Sequence, residues 1–522
     1  MKNISIIWSE NDTRESFRDF SFAHDLDLYS LCSFKADRAF GELELRLESF
    51  FTTNQETMVN RCEMFFELTS DPELFGGLSK SFSDLADICR LKQEKDGWHS
   101  NELMLYSVKE LEMYVEYIEE TRRLFSDHPV KSAFLCRLRD EIQSICSSGK
   151  YESLAREVKK QSHLIKHAQS VTIAVNLDAQ MHPLEAGVVT VNDVRYESGL
   201  FIDKLLRLDF KDSEYKCSAP LIPVDKRLSE EEIKAFRFTL NGALNKVFAS
   251  ALKSWEKTVR RYVIDDLDRF FPLLYEWKFV SSAAKALMSI LDAGQTFCRP
   301  IFADRDKIEG LYHPLLALSG GDRVVKNDLV FDRERIYILT GPNQGGKSIY
   351  TKSVGLLYAM LHLGLPLPAA HVEICPVDGI FTHFIDNRTE HSYRHGRLEA
   401  ECEAIQRVNE RITERSIFLF DESLSSTSAD EAITIATELL SAYSAIGVRG
   451  IFTTHLHGLC RLAEQGNNSN ICNLTAELDE NSHDRTYRIR RGGRGYSYAS
   501  DIAKKYHLTR EEILSMQKNK TP

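Results

Sequence analysis

The residues best placed to do chemistry in this 522-residue chain lie in one stretch, Ile338-Leu-Thr-Gly-Pro-Asn-Gln-Gly-Gly-Lys-Ser348. Gly341, Gly346, Lys347 and Ser348 stand at the spacing of a phosphate-binding loop that joins a strand to a helix. Glycines let bare backbone N–H groups approach phosphate oxygens, so Gly341, Pro342, Asn343, Gln344, Gly345 and Gly346 form the cradle. Lys347 reaches the β- and γ-phosphates and the Ser348 hydroxyl holds Mg²⁺, all at the positive end of a helix dipole. The expected ligand is ATP with Mg²⁺. A plain glycine-rich turn is the competing explanation, and the flanks decide against it. Ile336–Leu339 is an apolar run suited to a buried strand, and Tyr350–His362 carries apolar residues at helical spacing.

Such a loop needs carboxylates on a second strand. Ser416-Ile-Phe-Leu-Phe-Asp-Glu422 supplies an apolar run ending in two acids. Asp421 is expected to hold the Mg²⁺, and Glu422 to orient or deprotonate the attacking water. Phe452-Thr-Thr-His455 is another apolar run, ending in a histidine suited to sensing the γ-phosphate. His455, His457 and Cys460 also have passable zinc spacing, but the nucleotide reading already uses His455.

These groups must be positioned by a large, mostly helical scaffold. The composition, 43% apolar and 27% charged, is that of a soluble globular protein of several domains. A net charge of -11 advertises no nucleic acid globally, so any DNA contact must be local. Eleven scattered cysteines without a Cys-x-x-Cys pair fit reduced thiols and a cytoplasmic protein. No apolar run suits a signal peptide or a membrane span, so no membrane partner is expected.

Residues 1–170 read as helices. Leu74, Leu78, Phe82 and Leu85 form one packing stripe, Met104, Val108, Leu111, Val115 and Ile118 another, and Leu135, Leu138, Ile142 and Ile145 a third. Val171–Leu177 and Val188–Val191 are β-rich and predict a hairpin. Ser229-Glu-Glu-Glu232 resembles a capping box and opens a pattern free of proline until Pro272. If helical throughout, its roughly 43 residues span about 64 Å, too long for one compact domain, which implies a projecting arm. From Leu311-Tyr-His-Pro314 to about residue 490 the pattern is α/β. Two short helical stretches follow, at 499–506 and 509–517.

The phosphate loop, the Asp421-Glu422 strand end, Ser426-Thr-Ser-Ala-Asp430 and Thr454-His455 together resemble the ATPase of the MutS family of DNA mismatch repair proteins, which belongs to the ABC-type ATPases. Leu311–Pro314, Gly364-Leu-Pro-Leu-Pro-Ala369, Asp378-Gly-Ile-Phe-Thr382 and Ser497-Tyr-Ala499 extend the likeness over 311–517. The resemblance implies a multidomain fold: an α-helical lever or arm region (1–300) with a small β insertion at about 170–225, an α/β P-loop (ABC-type) ATPase domain (301–490), and a short C-terminal helical, helix-turn-helix-like dimerisation segment (491–522). It implies a homodimer in which a signature segment crosses to the partner's γ-phosphate. That segment maps to Gly396–Glu401, with Gly396 at the family's serine, then Arg397, and Glu401 at the family's glutamate. Val324 falls where well-known members stack an aromatic residue on adenine.

Mismatch-reading members carry a Phe-x-Glu wedge. The tempting match, Phe65-Phe66-Glu67, sits inside a helical stripe and reads as core, so the wedge reader is expected to be absent. DNA contacts are expected instead from basic clusters on the arm: Lys159, Lys160 and Lys166 with His163 and His167, and Lys253, Lys257, Arg260 and Arg261. Arg488, Arg490, Arg491 and Arg494 around Gly492-Gly493 read as a basic strand and turn. The expectation is a MutS-like DNA-binding ATPase dimer that clamps on mismatched or branched DNA. The alternative is an ABC-type regulatory or scaffold ATPase acting on a protein partner.

Overall fold

The computed structural model describes residues 4–161, 169–198, 249–320, 324–464 and 470–492, apart from 16, 18, 34–45, 97–103, 182, 263–266, 343, 385–395, 465–469 and 480–484, together with 216–217, 229, 231, 240, 243–244, 510 and 513–514. The chain divides into two compact units. One holds Met1–Ile4, Glu73–Val130 and Cys136–Leu274; the other holds Ser5–Pro72, Lys131–Leu135 and Tyr275–Pro522. Helices and mixed sheets make it a multidomain α/β protein.

The first unit is built on long helices, including Pro72–Asp96, Met104–Asp127, Gly149–Gln161 and Ala249–Arg261. The expected stripes are its core: Leu78, Phe82, Leu85, Val108, Leu111 and Ile118 are all buried, as is Trp255. Gly77 lets two helices approach closely, because a Cβ there would lie 2.4 Å from Leu124 Cδ1. Ser81 and Thr121 share a buried hydrogen bond of 2.5 Å. The predicted hairpin forms from Ser170–Leu177 and Pro183–Asn192, paired antiparallel. Most of the pattern from Ser229 to 248, and Lys166, His163 and His167, lie outside the described residues. Pro272 does not end a helix. It sits in the second turn of Leu267–Asp292. So near the start it forfeits a single i→i−4 bond, and buried Leu273, Trp277, Val280 and Leu287 favour continuation.

The second unit holds the site. Its main sheet comprises β1 (Ile336–Thr340), β2 (Ile380–Phe384), β3 (Ile417–Asp421), β4 (Arg449–Thr453), β5 (Ile471–Leu478) and β6 (Arg485–Arg491), in the order β2-β3-β4-β1-β5-β6. All pairings are parallel except β5 with β6. β1, β3 and β4 are buried along their whole length, which is why they read as continuous apolar runs. Around them run α1 (Lys347–Leu363), α2 (Arg397–Asn409) and α3 (Ala429–Ile446). A four-stranded sheet is bolted to this one through buried Asp306, which accepts from Arg449 at 2.5 Å and from the Tyr358 hydroxyl at 2.7 Å.

The far end of α1 is fastened to residues 5–72. Fully buried Arg61 donates from Nε to Ile7 O at 2.7 Å and from Nη1 to the carbonyls of Phe50 and Leu363, with its guanidinium over the Trp8 ring. Burial pushes its pKa down to about 9. His362 bonds Thr52 O through Nδ1 at 2.8 Å. Nearby, Ser5 Oγ and Ile6 N donate to the Glu276 carboxyl at 2.8–3.0 Å. Burial raises the Glu276 pKa to about 7, outweighing those bonds and the Arg61 charge.

A carboxyl with a raised folded pKa stabilises the fold below its unfolded pKa of 4.5, and that contribution is lost as pH climbs to about 7. Glu276→Gln keeps the shape without the ionisation. It should raise Tm at pH 8 by the equivalent of roughly 3 kcal/mol and give no gain at pH 4. Thermal melts at the two pH values check this, and an equal effect at both would contradict it.

Candidate nucleotide-binding site

The site grows from the end of β1. Gly341 has φ 137°, and a Cβ there would lie 2.8 Å from Ala476 Cβ and 3.0 Å from its backbone N. Gly346 has φ 90° and forms the N-cap of α1. Both positions need glycine. Gln344 also takes a positive φ, 60°, and its side chain accepts from Arg485 Nη1 at 2.8 Å. Lys347 is buried and folds back, donating to Gly341 O at 3.0 Å and Pro342 O at 3.1 Å. Burial lowers its pKa, while the Glu422 and Asp421 charges oppose that shift. Of the predicted loop, Asn343 lies outside the described residues.

β3 and β4 are adjacent and in register, so their C-terminal ends bring Asp421, Glu422 and His455 beside the loop. Buried Asp421 is hydrogen-bonded with Ser348, and burial raises its pKa. Its Oδ1 is buried with no hydrogen-bond partner. An orphaned carboxylate oxygen next to a serine hydroxyl suits a hard divalent cation such as Mg²⁺. Glu422 Oε1 lies 2.6 Å from His455 Nε2, and this hydrogen bond lowers the Glu422 pKa. The carboxylate is therefore an ionised, half-exposed base aimed by a histidine.

A cavity of about 540 Å³ opens beside the loop, lined by His313, Val324, Lys347, Ser348, Glu422 and Tyr487 among others. Tyr487 was not singled out by sequence. It has φ 57° and packs against Gly346, held by Asn327, which donates to Tyr487 O at 3.2 Å and accepts from Ile489 N at 2.7 Å. An aromatic residue between arginines on a half-exposed edge strand was the available signal. His313 belongs to the quoted Leu311–Pro314 motif without an assigned role. Burial pushes its pKa down to about 4, and neither ring nitrogen has a hydrogen-bond partner.

Gly396 is the N-cap of α2, extended and without a side-chain cap, and Arg397 opens the helix. Glu401, one turn on, reaches the loop after Glu422 of its own chain: it accepts from Leu424 N and Ser426 Oγ. Phe65, the first residue of the wedge-like match, is fully buried. Phe66 lies under the Arg299 guanidinium, and Glu67 accepts from Lys131 N and Ser132 N. That segment is structural.

Residues 337–521 match the family model described as MutS domain V. Over this part of its length, the chain is similar to the MutS family. Curated relatives include the DNA mismatch repair protein MutS of Chlorobium phaeobacteroides, 30% identical over 303 residues that cover 54% of this chain and 34% of the relative. That of Ruminiclostridium cellulolyticum is 28% identical, covering 53% and 32%. That of Chlorobium limicola is 32% identical over 217 residues, covering 40% and 24%. The chain thus spans about a third or less of the length of these relatives. Among the described residues, no helix is long and apolar enough to cross a membrane.

Proposed function

We propose that this chain is a cytoplasmic, DNA-binding ATPase that binds ATP and Mg²⁺ at residues 341–348, hydrolyses ATP with Glu422, and works as a homodimer closing on DNA. The observation that carries the reading is the convergence on one loop of a buried lysine, an orphaned Asp421 oxygen and a histidine-held Glu422. Backbone N–H groups of the loop and Lys347 hold the phosphates. Ser348 and Asp421 hold Mg²⁺, which offsets phosphate charge. Glu422 takes a proton from water as the water oxygen bonds the γ-phosphorus and the bond to the β–γ bridging oxygen breaks. His455 keeps that carboxylate ionised and oriented. The base and ribose occupy the cavity, with Val324 at its edge. Gly396 and Arg397 face the nucleotide of the other subunit.

In this reading residues 1–300 form the lever, 301–490 the ATPase and 491–522 a dimerisation segment. Arm cations meet the phosphates. Arg260 and Arg261 are paired with Glu256 and Glu157 at exposed sites, and such pairs are weak enough for phosphate to displace. With Phe65 buried and Phe66 and Glu67 engaged, that segment offers no mispair wedge, and the other N-terminal Phe-x-Glu, Phe40-Gly41-Glu42, lies outside the described residues. Binding should therefore be strongly salt-dependent, and a G·T duplex should be bound within tenfold of its matched twin at one salt concentration. A larger preference, worth more than about 1.4 kcal/mol, would overturn this part of the reading. The net charge of -11 favours the alternative of a protein partner. Absence of binding to plain, mismatched, branched and single-stranded DNA alike would select it.

A further inference from the structure

We propose that Glu401 is a positioning residue for hydrolysis: it latches the loop that carries Glu422 to helix α2 of the same chain. This rests on the reading of Glu422 as the hydrolytic base. Two residues of that loop sit in the left-handed region, Glu422 at φ 56° and Leu424 at φ 63°. Side chains other than glycine rarely adopt this conformation, so surrounding contacts must hold it. One contact is Glu401, whose two carboxylate oxygens accept from Leu424 N and Ser426 Oγ, bracketing the left-handed residue. Another is His383, whose Nδ1 lies 2.6 Å from Ser423 Oγ. A third is Glu422 N, which donates to Thr453 O at 2.9 Å. Of these three, only the Glu401 contact comes from a helix rather than a strand of the sheet.

The latch ties two features of the site together. Glu401 lies five residues after Gly396, or about 7.5 Å along the axis. A load on the exposed first turn of α2 can therefore reach the loop after Glu422 through this carboxylate. With the first turn facing the other subunit's nucleotide, occupancy of that site would tune hydrolysis in this one.

The test compares Glu401→Ala and Glu401→Gln in the full chain. Glutamine keeps the latch: its carbonyl accepts from Leu424 N and its amide donates to Ser426 Oγ, which reverses its role. Glu401→Ala should lower kcat 10- to 100-fold with ATP affinity within about twofold, and Glu401→Gln should restore kcat to within about threefold of wild type. Hydrogen exchange of the Leu424 amide should speed at least tenfold in Glu401→Ala and stay near wild type in Glu401→Gln. An alanine variant with wild-type kcat, a glutamine variant as slow as alanine, or ATP affinity lost in both would overturn the proposal. Wild-type protein that hydrolyses no ATP would instead refute the reading of Glu422. The exchange measurement still decides the latch in that case, and an unchanged Leu424 rate removes it.

Discussion

Lys347→Ala is expected to abolish tight ATP binding, weakening it at least 100-fold in calorimetric titrations. The ammonium is held by Gly341 O and Pro342 O in a buried position where desolvation already penalises its charge. Phosphate would relieve that penalty by replacing carbonyl dipoles with full negative charge, a charge-assisted contact roughly twice as strong as a neutral one. Removing it leaves the loop without its buried cation. Arg485, which donates to Gln344 of the loop, is exposed on β6. Wild-type affinity in this variant would exclude residues 341–348 as the nucleotide site. A large loss of Tm would signal a folding effect, so melts should accompany the titrations.

Glu422→Gln should bind ATP as wild type does and hydrolyse it 10²- to 10⁴-fold more slowly, the range for loss of a general base. The amide preserves size and still meets His455, but it cannot take a proton. Sizing at saturating ATP should then show accumulated dimer, and a monomer would count against a composite site. The pH dependence has a defined sign. The hydrogen bond from His455 holds the Glu422 pKa below its ordinary 4.5. The base therefore stays ionised down to pH values below that, and its contribution to turnover is lost only as pH falls through the lowered pKa. Glu422→Asp should not restore the rate, since a shorter side chain cannot keep the 2.6 Å contact with His455 at the same backbone position.

The glycine-rich loop and the two acids stood out in sequence as a candidate site because the chemistry they suit fixes residue type and spacing locally. Gly341 and Gly346 serve φ values and close approaches that other residues do not allow. Apolar β1, β3 and β4 announced buried strands, and the stripes through Leu78, Leu111 and Leu138 announced packed helices. What escaped depends on partners far apart in the chain. Arg61 joins carbonyls of residues 7, 50 and 363, and Glu276 pins Ser5 and Ile6. No local period shows that residues 5–72 fold into the same unit as the phosphate loop. Tyr487 was hidden for a similar reason: Asn327, 160 positions upstream, holds its strand. Pro272 misled because a helix breaker in the middle of a helix is tolerated near its start.

The signature segment divides the same way. Gly396, Arg397 and Glu401 could be located by resemblance, yet their spacing does not reveal that Glu401 spends both oxygens on its own chain. A carboxylate's partner is set by where β3 ends and α2 begins, and that is a tertiary property.

The most direct test of the account is DNA dissociation measured in three nucleotide states. Fluorescently labelled branched DNA should be bound to the wild-type chain at one stated salt concentration, with ATP and Mg²⁺, with ADP and Mg²⁺, and without nucleotide, and its off-rate followed by anisotropy. If nucleotide at residues 341–348 closes the dimer on DNA, ATP should change the off-rate at least tenfold relative to the other two states, and Lys347→Ala should erase the difference. Equal off-rates in all three states would contradict it.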